Sequence, residues 1–140
     1  MNDFELHPQL KADTHLVGDL ALCRVLLMDD SNWPWVILVP RRPAVREICE
    51  LNDIDQVTLI RESSLVGGNL IELFAADKLN VAALGNQVPQ LHLHHIVRHS
   101  YDPAWPKPVW GALPRQLYTP ARAKETVKRL AFNLGLPYPT

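Results

Sequence analysis

Two stretches of the chain are apolar at nearly every position. Residues 20–28 (LALCRVLLM) and Trp35–Pro40 (WVILVP) lack the alternation of a half-exposed strand, which is the pattern of strands covered on both faces. The segment DDSNWP between them collects Asp, Ser, Asn and Pro, all suited to tight turns, so the pair predicts a hairpin ended by Arg41, Arg42 and Pro43. From 53 to about 75 the spacing becomes helical: Val57, Ile60, Ile71 and Phe74 recur at helical intervals, thickened by Leu59, Leu65 and Leu70. Asp53 with Gln56 three residues on has the form of a capping box. Gly67-Gly68 interrupts this helix; each glycine costs up to ~1 kcal/mol in a helix interior, so close backbone packing is expected there. Two further strands are predicted over 78–84 and 90–98, around a turn at Gly85-Asn86-Gln87. Residues 1–19 are mixed and polar, suited to a short helix or an extended arm. The stretch 99–117 is proline-rich and carries Trp105 and Trp110, which predicts an ordered, irregular loop. Thr119-Pro120 fits an N-cap followed by a first helical position, opening a last helix that runs to about 134, where Gly135 stops it. The expected fold is α+β, a mainly antiparallel sheet with one long central helix and a C-terminal helix. It is read as a single domain over 1–140, with its core at about 20–110 and its terminal helix at about 120–134.

Composition narrows the function classes. With 140 residues, 47% hydrophobic and 21% charged, the chain can form one packed core and is not of disordered composition. Lys and Arg number 14 against 15 Asp and Glu; a nucleic-acid backbone binder needs a basic excess, so no nucleic-acid polymer is expected as partner. No apolar stretch approaches the ~18 residues of a membrane span, and the start MNDFELHP lacks the form of a secretory signal. No membrane association is expected, and the expected location is the cytoplasm. Cys23 and Cys49 form no CxxC pair, which argues against a disulfide framework or a thiolate zinc site. The unusual feature is histidine: of six in the chain, His92, His94, His95 and His99 fall within eight residues.

Read as a strand, QLHLHHIVR separates into two faces, because successive side chains alternate. Gln90, His92, His94, Ile96 and Arg98 share one; Leu91, Leu93, His95, Val97 and His99 share the other. The two leucines and the valine mark the second as the core side, with His95 a partly buried or edge passenger. The first presents an amide, two imidazoles and a guanidinium in a row, groups that attack phosphorus or bind its oxygens.

At this point the segment resembles a known signature. VPQLHLHHIVR is similar to that of the histidine triad (HIT) hydrolases and nucleotidyl transferases, His-x-His-x-His-x-x with apolar x. Gly85-Asn86-Gln87-Val88 resembles the Gly-Gln-Ser/Thr-Val that precedes it in that family. The hairpin with DD in its turn and VILVPRRP at its close is similar to the family's ribose-binding hairpin, and the long helix lies between the two, in the family's order. The likeness covers roughly 20–110, and DPAWPKPVWG resembles bacterial members. Aligning Val88 and Arg98 with the signature puts His92 at the central, nucleophilic position and His94 at the last, with Gln90 in place of the first histidine. Pro43 stands where some members have another histidine, which favours the dinucleoside polyphosphate branch over the phosphoramidate-cleaving one.

The resemblance implies a mechanism. His92 attacks the α-phosphorus of a nucleotide conjugate, forming a covalent nucleotidyl-imidazole that water then hydrolyses. The other nitrogen of His92 must hold its hydrogen toward a backbone carbonyl, which family likeness places near Gly85. His94 donates to a phosphate or leaving-group oxygen, and Gln90, Asn86 and Gln87 stabilise charge on the equatorial oxygens. Asp29, with Asp30 the less favoured choice, bonds the ribose hydroxyls. No metal or other cofactor is implied, and the family habit of pairing implies a homodimer, with the aromatic loop as an interface. Other readings stand beside these. Gln90 and Asn86 are also ordinary strand-end and turn residues, Asp29 and Asp30 ordinary turn formers, and Arg98 a solvated or ion-pair residue. Trp105, Trp110, His95 and His99 read as structural. A metal site is short of ligands, since one strand face supplies two imidazoles. A nucleotide-binding module of weak turnover is the main rival, because Gln90 cannot carry a proton.

Overall fold

The computed structural model describes residues 3–138. Its centre is a five-stranded sheet, all pairs antiparallel, in the order β1-β2-β3-β5-β4. The strands are β1 (Thr14–Asp19), β2 (Cys23–Met28), β3 (Trp35–Pro40), β4 (Lys78–Ala82) and β5 (Leu93–Arg98). Helices α1 (Pro8–Asp13), α2 (Asp53–Phe74) and α3 (Pro120–Asn133) complete the α+β architecture.

The unbroken apolar runs have a simple cause. Val25, Leu27, Val36, Leu38, Leu93 and Val97 pack on one face of the sheet with Leu59, Val66 and Leu70 of α2 and Val127 and Leu130 of α3. Leu26, Trp35, Ile37, Val39 and Ile96 pack on the other with Leu10 of α1, Trp33, Ala104 and Val109. Every position of β3 is therefore buried. The central strands have no solvated face, and alternation disappears from them.

The 1–19 segment supplies both a short helix and a strand. β1 pairs with β2 through a register shift between Leu16 and Gly18 and leaves Leu16 half exposed, so its sequence carries too little apolar pattern to be read as a strand. The cap of α2 lies one residue earlier than expected. Asn52 Oδ1 accepts from Asp55 N at 2.8 Å, and Gln56 Nε2 donates to the Leu51 carbonyl at 2.9 Å instead of closing a capping box. The Gly67-Gly68 pair divides in its reason: a Cβ on Gly67 would stand 2.8 Å from Leu79 Cδ2 of β4, whereas Gly68 faces open space. Only the first is the close approach that the pair predicts. Thr119 caps α3 through Arg122 N at 3.2 Å with Pro120 next to it, as the sequence indicates.

Both strands around the Gly85 turn are shorter than predicted. β4 stops at Ala82 and β5 begins at Leu93, where the ladder to Leu38 starts. Gln90 and His92 therefore lie on the approach to the strand. After β5, the loop 99–117 is tied down by one buried ion pair. Arg98, 1% exposed, donates to Asp102 through Nε (2.8 Å) and Nη2 (3.1 Å), and Asp102 Oδ1 in turn accepts from Ala104 N and Trp105 N. Arg98 is thus structural and not solvated. Val109 is drawn into the core and Trp110 is delivered beside β5.

Candidate active site

The sheet brings His92 and His94 together with Trp110 and the turn residues Leu84, Gly85, Asn86, Gln87 and Val88 around a cavity of about 310 Å³. Gly85 makes the wall's corner in the left-handed region at φ +68, which glycine adopts without a Cβ penalty. The two imidazole rings stand edge to face with centroids 5.0 Å apart, and the Trp110 ring crosses that of His94 at 5.1 Å and 80°. Asn86 and Gln87 line the same cavity, and neither side-chain amide is occupied by another protein group among the described residues.

Hydrogen bonds decide the tautomer of each ring. His92 Nδ1 lies 2.6 Å from the carbonyl oxygen of Gln90. A carbonyl can only accept, so Nδ1 carries a hydrogen, and in the neutral ring the lone pair is on Nε2. The acceptor expected near Gly85 is thus the carbonyl of Gln90, two residues back in the chain. His94 has the opposite arrangement. The Trp35 indole N–H donates to His94 Nδ1 at 2.9 Å; an indole nitrogen can only donate, so the hydrogen of His94 is on Nε2. Burial, then the neighbouring His92 and His95, press the His94 pKa down to about 3, so the ring is neutral near neutrality. The cavity therefore holds one ring nitrogen able to attack and one ring N–H able to donate.

Gln90 is the first correction. Its side chain does not enter this cavity: Oε1 accepts from His7 N at 2.9 Å and Nε2 donates to the Glu5 carbonyl at 2.8 Å. The amide fastens the N-terminal segment and lines a separate cleft with Phe4, Leu6 and Leu26. Gln90 keeps the sheet face that alternation gives it, beside Leu26, but it precedes the first ladder pair of β5 and its side chain turns to the N-terminal segment packed there. The acidic pair is the second correction. Asp29 Oδ1 accepts from Tyr118 N at 3.0 Å and stands 3.1 Å from His15 Nε2. Asp30 is buried, and its Oδ1 accepts from Asn32 N (3.0 Å) and Asn32 Nδ2 (2.8 Å). Both carboxylates hold the hairpin turn against the backbone N–H groups of Gln116 and Tyr118 and are not among the residues lining the histidine cavity.

His95 faces the helices and is fully buried, deeper than an edge passenger. Its Nδ1 meets the Leu93 carbonyl at 3.2 Å and its Nε2 meets Ser63 Oγ at 2.7 Å. His99 Nε2 reaches the Phe74 carbonyl at 2.9 Å. No group of three or more His, Cys, Asp or Glu side chains among the described residues is placed to hold a metal ion. Trp35, read from the sequence only as a strand opening, and Trp110, read as structural, are the residues that sequence reasoning missed. A signal existed for Trp35: a buried tryptophan needs an acceptor for its N–H, and the strands flanking it are the histidine-rich one and β2.

Comparison with known proteins identifies the family of the fold. A family model described as the HIT domain matches residues 9–101. A histidine triad protein from Marinobacter aquaeolei VT8 is 55% identical with a TM-score of 0.92, over 94% of this chain and 96% of that one. Histidine triad proteins from Bradyrhizobium japonicum (44% identity, TM-score 0.91, 94% and 98% covered) and Sinorhizobium meliloti 1021 (41%, 0.91, 95% and 98%) are similar along the same length. No curated protein matches the chain. With the model spanning the sheet, the long helix and the histidine strand, and with solved relatives alike over nearly the whole length, this chain belongs to the HIT domain family.

Proposed function

We propose that the protein is a nucleotide hydrolase or nucleotidyl transferase that cleaves a nucleoside phosphate conjugate, of the dinucleoside polyphosphate type, at the α-phosphate. The observation that carries this reading is the complementary pair of tautomers: His92 Nε2 free to attack, held so by the Gln90 carbonyl, beside a neutral His94 with its hydrogen on Nε2. In the first step the His92 lone pair forms a P–N bond and the P–O bond to the leaving group breaks, its electron pair departing on oxygen. His94 Nε2–H, Asn86 and Gln87 donate hydrogen bonds to the oxygens on which charge grows. In the second step water attacks phosphorus and gives up a proton to solvent, the P–N bond breaks, and His92 regains its lone pair as the nucleoside monophosphate leaves. HIT membership supports nucleotide chemistry, as does a neighbour of the same fold from Sulfolobus tokodaii described as a histidine triad nucleotide-binding protein (16% identity, TM-score 0.67).

The test is turnover of a fluorogenic adenylyl conjugate together with acid-quench trapping of a nucleotidyl-protein adduct. Wild-type protein is expected to turn over and to yield an acid-labile adduct at His92, while His92→Asn loses at least ~10³-fold of the rate, as removal of a covalent nucleophile does. Tight nucleotide binding without adduct or turnover would favour the second reading, a nucleotide-binding module. The observation behind that alternative is that Gln90 is turned to the N-terminal segment, leaving the cavity two imidazoles.

A homodimer is part of the proposal. Ile54, Val57, Ile60 and Ile71 leave an exposed apolar stripe along α2, and Val81 is exposed on β4, an edge strand of the sheet. Such a stripe beside an unpaired edge suits a second copy of the chain. A monomeric mass by light scattering at micromolar concentration would remove it.

A further inference from the structure

Trp35 opens β3 and is 5% exposed, with its ring T-shaped against both His94 (5.6 Å) and Trp110 (5.7 Å). Its single polar atom goes to His94 Nδ1. To act as a proton donor, His94 would have to become an imidazolium, with hydrogens on both nitrogens. The Nδ1 hydrogen would then point at the indole N–H from 2.9 Å away, donor against donor. Protonation requires breaking the Trp35 contact in a packed aromatic cluster. Nothing nearby favours the cation either. On its own strand His94 meets His92 and His95; from β3 and the loop it meets two tryptophans; the 84–88 wall carries no ionisable side chain.

We infer that Trp35 is a specificity-determining positioning residue: by occupying His94 Nδ1 it keeps His94 a hydrogen-bond donor that cannot surrender a proton, and so confines the site to conjugates whose leaving group departs as an anion. The inference rests on the His92 chemistry proposed above and gives the anhydride preference a physical cause in Trp35. In the displacement the P–Nε2 bond forms, the P–O bond breaks, the electron pair stays on the leaving oxygen, and His94 retains its hydrogen throughout. A phosphoanhydride satisfies this, because its leaving phosphate is a stable anion. A phosphoramidate does not, because its amine must take up a proton as the P–N bond breaks. The low pKa of His94 agrees with this account, burial being its main cause.

The experiment compares an adenylyl phosphoanhydride with an adenosine phosphoramidate, for wild type and Trp35→Phe, with the histidine tautomers followed by ¹⁵N NMR between pH 5 and 8. Wild type is expected to cleave the anhydride and to leave the amidate nearly untouched. Its His94 is expected to stay in the Nε2–H tautomer throughout. Trp35→Phe removes the donor and keeps an aromatic ring. The expected results are an upward shift in the titration of His94 and a rise in amidate relative to anhydride turnover below pH 6.5, toward the ~10²-fold that general-acid assistance supplies. Equal amidate-to-anhydride ratios in the two proteins overturn the inference while His92-dependent turnover of the anhydride stands. Absence of any His92-dependent turnover overturns both readings. Wild-type spectra alone are also decisive: a His94 that titrates near 6.5 or carries its hydrogen on Nδ1 refutes the role of Trp35, whether or not the variant folds.

Discussion

His94 and His95 are chain neighbours, both buried, and in both burial is the main force holding the pKa down, to about 3 and about 4. They differ in what the far nitrogen meets. His94 Nδ1 is taken by Trp35, and its ring lines a cavity beside His92. His95 donates from Nδ1 to Leu93, against burial the carbonyls at Leu93 and Val36 favour its charged form, and its Nε2 meets Ser63 Oγ within the packed layer under α2. A depressed pKa therefore does not mark a functional histidine in this fold. One residue of strand alternation separates an imidazole available to a ligand from an imidazole used as a core polar bridge.

That contrast can be broken or sharpened by measurement. The largest expected effect is on the cavity side: His94→Ala should lower kcat for an adenylyl anhydride by ~10²–10³-fold, the usual loss on removing one donor to a developing oxyanion. KM should change less, and a kcat within a few-fold of wild type would erase the distinction between the two rings. On the helix side, Ser63→Ala strips His95 Nε2 of its partner and should destabilise the fold by about 1–3 kcal/mol, the cost of an unsatisfied buried polar group. Turnover per folded molecule should not move; a loss of activity without a loss of stability, read from urea melts against kinetics, would mean that the helix side takes part in the chemistry.

A third effect concerns both rings at once. Each is neutral when folded and has an ordinary pKa of 6.5 when unfolded. As pH falls below that value the unfolded chain binds protons that the folded chain refuses. The histidine contribution to stability is therefore complete above pH 6.5 and declines through the window down to about 4, where His95 begins to protonate in the folded state. Each ring contributes a slope of roughly 1 kcal/mol per pH unit there. Denaturation midpoints that stay flat between pH 7 and 5 would show that the two rings are not buried in neutral form.

Much of this was legible in advance. The continuous runs of β2 and β3, the helical spacing of α2, the Thr119-Pro120 start of α3 and the alternation that sends His94 and His95 to opposite faces are all local properties, and the structure keeps them. The alternation argument gave Gln90 its face but not its partners: ahead of the first ladder pair, the side-chain amide satisfies the Glu5 carbonyl and the His7 N–H of the N-terminal segment and not the histidine cavity. It was silent on Asp29 and Asp30, because a turn sequence says that the chain reverses and not which loop packs on it; here Gln116 and Tyr118 claim the two carboxylates.

The sequence by itself determined the elements after residue 19, their order and the two buried sheet faces, because side-chain period and turn chemistry act over a few residues. The tertiary structure alone decided the chemical state of the two imidazoles. The protons on His92 and His94 are set by a carbonyl two residues back in the chain and by an indole 59 residues away. The latter meets its ring only once β3 and β5 have paired in register, and no local pattern encodes that contact.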